Sequence, residues 1–273
     1  MASPVTTAYR VTLAGFVQGI GLRPFVYRLA RDNGIVGWTR NSGEGLDIHA
    51  EGAIEDIERF IGQLRELAPE GSCLQEFVPK QVMPTGHVDF QIVASVAAVA
   101  RSARVPWDRA FCQTCLEEFR DPSDRRYAYP LLTCTSCGPR YSILETMPYD
   151  RHSTTMAKFP LCARCQTEYD SPKDRRFHAE ATACPTCGPR LRFLATRGDE
   201  SVREKASRDL DALVAGAAVL LSGGILALKG IGGFQWLCRA DDEAAIARLR
   251  QCKRRPTKPL AIMVHSLDHA AKI

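Results

Sequence analysis

The sequence predicts an α+β chain in three parts: a ferredoxin-like βαββαβ domain, a double four-cysteine metal module, and the beginning of an α/β domain that is truncated. Three observations carry this. Strand-like and helix-like segments alternate in the order βαββαβ over the first 93 residues. Eight of the eleven cysteines then fall into four C-x-x-C pairs, arranged as two copies of one pattern. Beyond them, helix and strand patterns alternate again, which indicates an α/β domain. The expected bounds are 8–98, 105–195 and 203–273.

In the first part, "AYRVTLAGFV" (residues 8–17) alternates and is rich in β-formers, so it reads as a strand. "GLRPFVYRLARDNG" places Leu22, Phe25, Val26 and Leu29 at helical spacing and stops at Gly34. "IVGWTRN" is a second strand, "NSGEG" a hairpin turn and "LDIHAEG" a third strand. "AIEDIERFIGQLREL" follows as an amphipathic helix with Ile54, Ile57, Phe60, Ile61 and Leu64 on one face. A last strand is expected within 74–93.

Between the first strand and first helix lies "GFVQGIGLR". Gly19 and Gly21 let successive backbone N–H groups turn inward, and the helix start adds its positive end. Gln18, Gly19, Ile20, Gly21 and Leu22 would form a backbone cradle for a phosphate, and Arg23 would offer it a fork of donors. A tight glycine turn beside a surface arginine fits the same residues.

The cysteines run Cys112, Cys115, Cys134, Cys137 and then Cys162, Cys165, Cys184, Cys187, each position repeating 50 residues later. The spacing C-x2-C-x18-C-x2-C gives two facing metal-binding turns, the arrangement of a closed four-thiolate zinc site. Two structural zinc ions are expected, with the pairs shared sequentially because local loops close at lower entropic cost. These are zinc-finger modules in which the metal supplies folding energy. Gly138 and Gly188 follow the second turn, where a left-handed backbone is often needed. The repeats also carry "DRRY" and "DRRF", whose arginines can pair with the aspartates before them. His178 has no histidine counterpart in the first copy, where Ala128 stands.

In the third part, residues 203–222 read as a helix ended by Gly223 and Gly224. "ILALKGIGGFQWLC" reads as a buried strand entering a glycine turn, "DDEAAIARLRQCKRRP" as a helix, and "KPLAIMVHS" as a further strand. Lys229, Lys253, Arg255 and Lys258 make either a solvated basic face or a polyphosphate site. The net charge of +5 permits a phosphate-bearing ligand but is low for a chain built to neutralise nucleic acid. The start lacks a signal-peptide pattern, and the run Leu213–Leu228 is too short to span a membrane and is broken by glycines. A cytoplasmic protein with no membrane contact is expected. Cys73, Cys238 and Cys252 stand alone and are expected to be buried or half-buried.

"GFVQGIGLR" with "GIVGWTRNSGEGLDIHAEG" resembles the acylphosphatase family along residues 8–95. The resemblance implies that the loop binds the phosphate of an acyl phosphate, that Arg23 clamps it, and that Asn41 orients the attacking water. "GGILALKGIGGFQWLC" through "KRRPTKPLAIMV" resembles the start of the YrdC-like domain, which implies contacts from Lys229, Lys253, Arg255 and Lys258 to ATP and substrate. The order acylphosphatase, double four-cysteine module, YrdC-like domain is similar to the hydrogenase-maturation carbamoyltransferases, the HypF family. That resemblance implies hydrolysis of carbamoyl phosphate and then formation of carbamoyl-adenylate with ATP and magnesium. The carbamoyl group would pass to the C-terminal cysteine of a maturation partner protein and become a cyanide ligand. The alternative is a zinc-finger module that binds RNA, with the glycine loop as an anion dock.

Overall fold

Strand β1 (Thr7–Phe16) places Val11 and Leu13 on one face, where both are fully buried, and Arg10 and Thr12 on the other. The computed structural model that defines it describes residues 6–69, 72–96, 103–195 and 207–271. Contacts divide the chain into two units, 1–190 and 191–273.

Helix α1 (Leu22–Asp32) buries Leu22, Val26, Leu29 and Ala30, and Gly34 ends it with φ of 66°. The Asn33 side chain donates to the Leu29 carbonyl at 2.9 Å and to Gln63 at 2.8 Å. Strands β2 (Val36–Ser42) and β3 (Gly45–Gly52) form the expected hairpin, with Ser42 opposite Gly45. Helix α2 (Ile54–Glu66) buries Ile57, Phe60 and Leu64, with Ile61 partly buried against them. Ile54, expected on that face, is instead exposed, because it opens the helix at its solvent end. One core holds both helices and the near face of the sheet.

The single strand expected within 74–93 is two. Strand β4 (Cys73–Val82) lies antiparallel to β1 at one edge, and β5 (Phe90–Ile92) lies parallel to β2 at the other. The order is β4-β1-β3-β2-β5, and β6 (Ala103–Arg104) adds parallel to the end of β1. Glu51, near the end of the central strand β3, holds the crossing between the edges. Its Oε1 accepts from the Thr85 N–H at 2.6 Å and the Thr85 hydroxyl at 2.7 Å, and its Oε2 from the Gly86 N–H at 3.0 Å. The His49 ring completes the set at 2.7 Å.

The two cysteine repeats complete the first unit. Helix α3 (Gln113–Arg120) follows Cys112, and helix α4 (Ala163–Asp170) follows Cys162, so the copies share one local fold. Their aspartate–arginine segments do not close on themselves as the sequence suggests. Asp124 and Asp174 accept from the backbone N–H of Arg126 and Arg176, which forms a tight turn and releases the guanidinium groups outward. Arg125 and Arg126 of the first copy pair with Glu168 of the second, and Arg175 and Arg176 of the second pair with Glu118 of the first. The modules are thus cross-tied through equivalent residues. Gly138 has the expected left-handed φ of 89°, whereas Gly188 does not. Gly188 is required by space: a Cβ there would lie 2.3 Å from the Tyr129 hydroxyl.

In the second unit, β7 (Arg192–Phe193) pairs with β8 (Ser207–Arg208), and α5 (Leu210–Leu221) follows. The start of the helix expected over 203–222 lies outside the described residues as far as 206, and so does residue 98 of the first expected boundary. The expected buried strand is a hairpin of β9 (Leu226–Gly230) and β10 (Gly233–Leu237), with Leu228 and Phe234 exposed. Helix α6 (Glu243–Lys253) starts at Asp242, whose side chain caps the Ala245 N–H at 2.9 Å. The strand expected at 258–266 does not form. Pro259 lacks a donor, and Arg250 instead ties the carbonyls of Arg255, Pro256 and Lys258 into a turn. Helix α7 (Leu267–Ala270) follows. Cys238 is half-buried, Cys252 is exposed, contrary to expectation, and the Cys73 side chain lies outside those described. Among the described residues no helix is long and apolar enough to cross a membrane.

Burial alone would push the Glu51 pKa up, but donation by His49, Thr85 and Gly86 holds it at about 2. A depressed carboxyl stabilises the fold above its unfolded value and loses that contribution as pH falls toward the folded value. Glu51→Gln is expected to cost about 2–3 kcal/mol at pH 7. Urea denaturation at pH 7 and pH 3 checks this: the difference between variant and parent should shrink at the lower pH.

Candidate functional site

The glycine loop, residues 17–21, leaves β1 and enters α1 with φ of 73° at Gly19 and 78° at Gly21, a backbone that alternates handedness and turns N–H groups to one side. Among the described residues, no backbone carbonyl accepts from the N–H groups of Gly19, Ile20 or Gly21. Ile20 and Leu22 send their side chains into the core and offer the site only backbone. Gln18 fixes the loop: its amide nitrogen donates to the carbonyls of Ser42 at 2.9 Å and Gly45 at 2.8 Å. Its oxygen accepts from the Tyr149 N–H at 2.8 Å.

Arg23 and Asn41, from α1 and β2, converge as the sequence predicts. Both donate to the Tyr149 carbonyl, Arg23 Nη2 at 3.3 Å and Asn41 Nδ2 at 3.1 Å. The other partners of Arg23 were not foreseen. Its Nη1 lies 2.6 Å from Asp150 and its Nη2 2.7 Å from Glu180, both carried by the cysteine module. Arg140, after the first module's second turn, donates through Nε to the Gly19 carbonyl. The far side of Glu180 accepts from the Tyr169 hydroxyl at 2.8 Å and the Arg151 N–H at 3.0 Å. These groups enclose a cavity of about 20 Å³, lined among others by Gly19, Arg23, Asn41, Tyr149, His178 and Glu180.

The electrostatics are those of a buried cluster. Burial pushes the Glu180 pKa up, opposed by Arg23. Burial would lower that of Arg23, but Glu180 and Asp150 raise it. Burial and then Arg23 bring His178 down to about 4, so its ring is neutral near pH 7, packed at a tilt against Tyr169 and edge-on against Phe177. Asn41 Oδ1 and Asp150 Oδ2 are buried without a hydrogen-bond partner among the described residues. Sequence reasoning missed Asp150 and Glu180. The signal available for Glu180 was the repeat: Pro130 occupies its position in the first copy, just as Ala128 stands for His178.

The eight thiols gather as two groups, Cys112/Cys115/Cys134/Cys137 and Cys162/Cys165/Cys184/Cys187, which is the sequential pairing. Three sulfur contacts in the first span 3.4–3.7 Å and two in the second 3.7–3.8 Å, and all the sulfurs of each group lie within 4.8 Å of one another. Four thiolates at zinc bond length about a tetrahedral centre stand about 3.8 Å apart, so both groups fit a zinc ion. Each also receives an arginine from the other copy: Arg175 donates to Cys115 Sγ at 3.2 Å, and Arg125 to Cys165 Sγ at 3.2 Å. Two zinc ions would hold the knuckles, and the crossed arginines would offset the excess negative charge of four thiolates. A third group, His49, Glu51 and His87, lies within metal-ligand range. The donors already around Glu51 account for its position through the fold.

In the second unit, Lys253 and Arg255 line a cavity of about 1000 Å³ with Phe234 and Trp236. Lys229 lies 5.1 Å from the Phe234 ring centre and Lys253 5.7 Å from that of Trp236. Neither Lys229 nor Lys258 lines that cavity. Phe234, Trp236 and Arg250 were not foreseen.

Arg175→Ala should loosen the zinc of the other copy, because it removes the Glu118 pair and a donor to Cys115. Release to a chelating dye should become about tenfold faster for one of two zinc equivalents. Equal loosening of both would contradict the crossed assignment.

The acylphosphatase family matches residues 9–92, the HypF finger family 111–144 and 161–194, and the family described as telomere recombination 218–273. Carbamoyltransferase HypF2 of Cupriavidus necator is 45% identical over 274 residues, which is 99% of this chain and 33% of that protein. A solved structure of full-length HypF in a phosphate- and nucleotide-bound form is 38% identical with a TM-score of 0.88, over 99% of this chain and 34% of that one. An acylphosphatase of Thermotoga maritima is 31% identical over 86 residues, 94% of its length. The chain spans about a third of the length of the HypF relatives it matches, and it belongs to the HypF carbamoyltransferase family.

Proposed function

We propose that the first unit hydrolyses carbamoyl phosphate, with Arg23 and Asn41 as its catalytic residues. The observation that carries this reading is their convergence, from different elements, on one carbonyl beside a loop whose Gly19, Ile20 and Gly21 N–H groups meet no backbone carbonyl among the described residues. The phosphate would lie on the N–H groups from Gly19 to Leu22, with Arg23 against its equatorial oxygens. Asn41 Oδ1, which lacks a partner, would accept from the attacking water. The water oxygen bonds to phosphorus, the bond from phosphorus to the carbamoyl oxygen breaks, and carbamate leaves with the electron pair. The water's proton passes to solvent or to the phosphate released. Fixed donors aimed at the charge that develops are the main source of acceleration in such a site.

In the longer relatives' context, the reading extends to a relay. The second unit would take part in an ATP- and magnesium-dependent conversion of carbamate to carbamoyl-adenylate, through Lys229, Lys253, Arg255 and Lys258. The carbamoyl group would go to the C-terminal cysteine of a maturation partner protein, in the cytoplasm. Carbamate decomposes in water, which gives a chemical reason for coupling the steps in one protein. The RNA-binding alternative is not favoured, because the arginines beside the module aromatics are held by Glu118 and Glu168.

Phosphate release from carbamoyl phosphate tests the reading. Arg23→Ala and Asn41→Ala should each lower kcat/KM by about 100-fold or more while both zinc equivalents remain bound. Unchanged hydrolysis in Arg23→Ala would overturn the assignment.

A further inference from the structure

The guanidinium group assigned to the phosphate is already taken. Asp150 and Glu180 hold its two terminal nitrogens at 2.6 and 2.7 Å. A phosphoryl group that takes the same two nitrogens must displace a carboxylate from at least one of them. Glu180 is also where the second cysteine copy departs from the first: Pro130 cannot reach a cation, and Glu180 can. Tyr169 and Arg151 hold its outer oxygen, so its inner oxygen stays directed at the site.

We propose that Glu180 is an internal competitor for the phosphate site, an anion supplied by the zinc module that exchanges with the phosphoryl group on Arg23 and takes up a proton as it does so. This rests on Arg23 being the phosphate ligand. An incoming dianion removes the positive partner of Glu180 and sets negative charge beside it, and both changes favour the neutral carboxyl. Neutral Glu180 can donate a hydrogen bond to a phosphoryl oxygen where the carboxylate would repel it. The charged and titratable groups around it are Arg23 from α1, Tyr149, Asp150 and Arg151 from the segment between the copies, Tyr169 from α4, and His178 on its own strand of chain; burial holds the Tyr149 hydroxyl up at about 12. Burial keeps Tyr169 protonated and His178 neutral across pH 6–8. Arg23 stays charged, and among the described residues Asp150 is the other carboxylate paired with it. The linkage sign follows: a ligand that favours the protonated form binds more tightly as pH falls. The zinc module is then a part of the hydrolytic site and sets which anions and which protonation states it admits.

Sulfate is the probe, because it has the shape and charge of a phosphoryl dianion and does not titrate in this range. Calorimetry of the whole chain in two buffers of different ionisation enthalpy counts protons taken up per sulfate. At pH 7–8 the parent should take up a large fraction of one proton per sulfate, and Glu180→Gln close to none. Glu180→Gln should also bind sulfate about tenfold more tightly at pH 8, since a charged competitor has become a neutral one. Asp150→Asn should gain affinity yet keep the proton uptake. Sulfate binding that needs Arg23 but shows no proton uptake in the parent would overturn the proposal. Binding that survives Arg23→Ala would instead overturn the phosphate-site assignment beneath it. If Glu180→Gln fails to hold two zinc equivalents, the proton count of the parent and of Asp150→Asn decides.

Discussion

The buried ion triad of Arg23 with Asp150 and Glu180 joins the glycine loop to the cysteine module. Three charges without bulk water are tolerated only because each is paired and the spare oxygen of Glu180 is hydrogen-bonded. Removing one member of such a set typically costs about 3–5 kcal/mol, because the partner is left charged and unpaired. The remaining contacts across this seam align with it. Gln18 and Asn41 meet the backbone of Tyr149, next to Asp150, and Arg140 meets the loop at Gly19. The loop geometry that suits an anion is therefore set from two sides, by β1 and α1 below and by the cysteine module above.

The module can do this because it is rigid for a reason of its own. Each four-thiol group fits a zinc ion, and each copy sends two arginines to the other. Arg125 and Arg126 hold the Glu168 carboxyl at about 2 against the effect of burial, so that link is charged throughout the neutral range. Neither copy buries enough apolar surface to fix its own position. Cross-tied, they carry Asp150 and Glu180 at a defined distance from Arg23.

The sequence makes legible what depends on local periodicity and spacing. The βαββαβ order, the glycine loop with Arg23 at its end, and the eight cysteines are readable because each rests on residues near one another in the chain, whereas Asn41 stood out only through the resemblance to acylphosphatases. What fails depends on partners far away. The split of β4 from β5 is set by Glu51, some 30 residues earlier, gathering the N–H groups of the crossing. The aspartates beside the arginine pairs suggested local bridges, and the structure spends them on turns instead. Glu180 carries no local signal for its role, because its partner Arg23 lies far earlier in the chain. In the second unit, alternation alone could not separate a strand from the turn that Arg250 holds at 255–258.

The central claim is that one guanidinium serves in turn a carboxylate of the zinc module and a phosphoryl group. A crystal structure of this chain grown with phosphate addresses it most directly. The account predicts phosphate on the N–H groups of Gly19 to Leu22 and on Arg23, with the Glu180 carboxyl rotated away or donating to a phosphate oxygen and no longer paired with the guanidinium. Phosphate bound to the loop with the Arg23–Glu180 pair intact would contradict it.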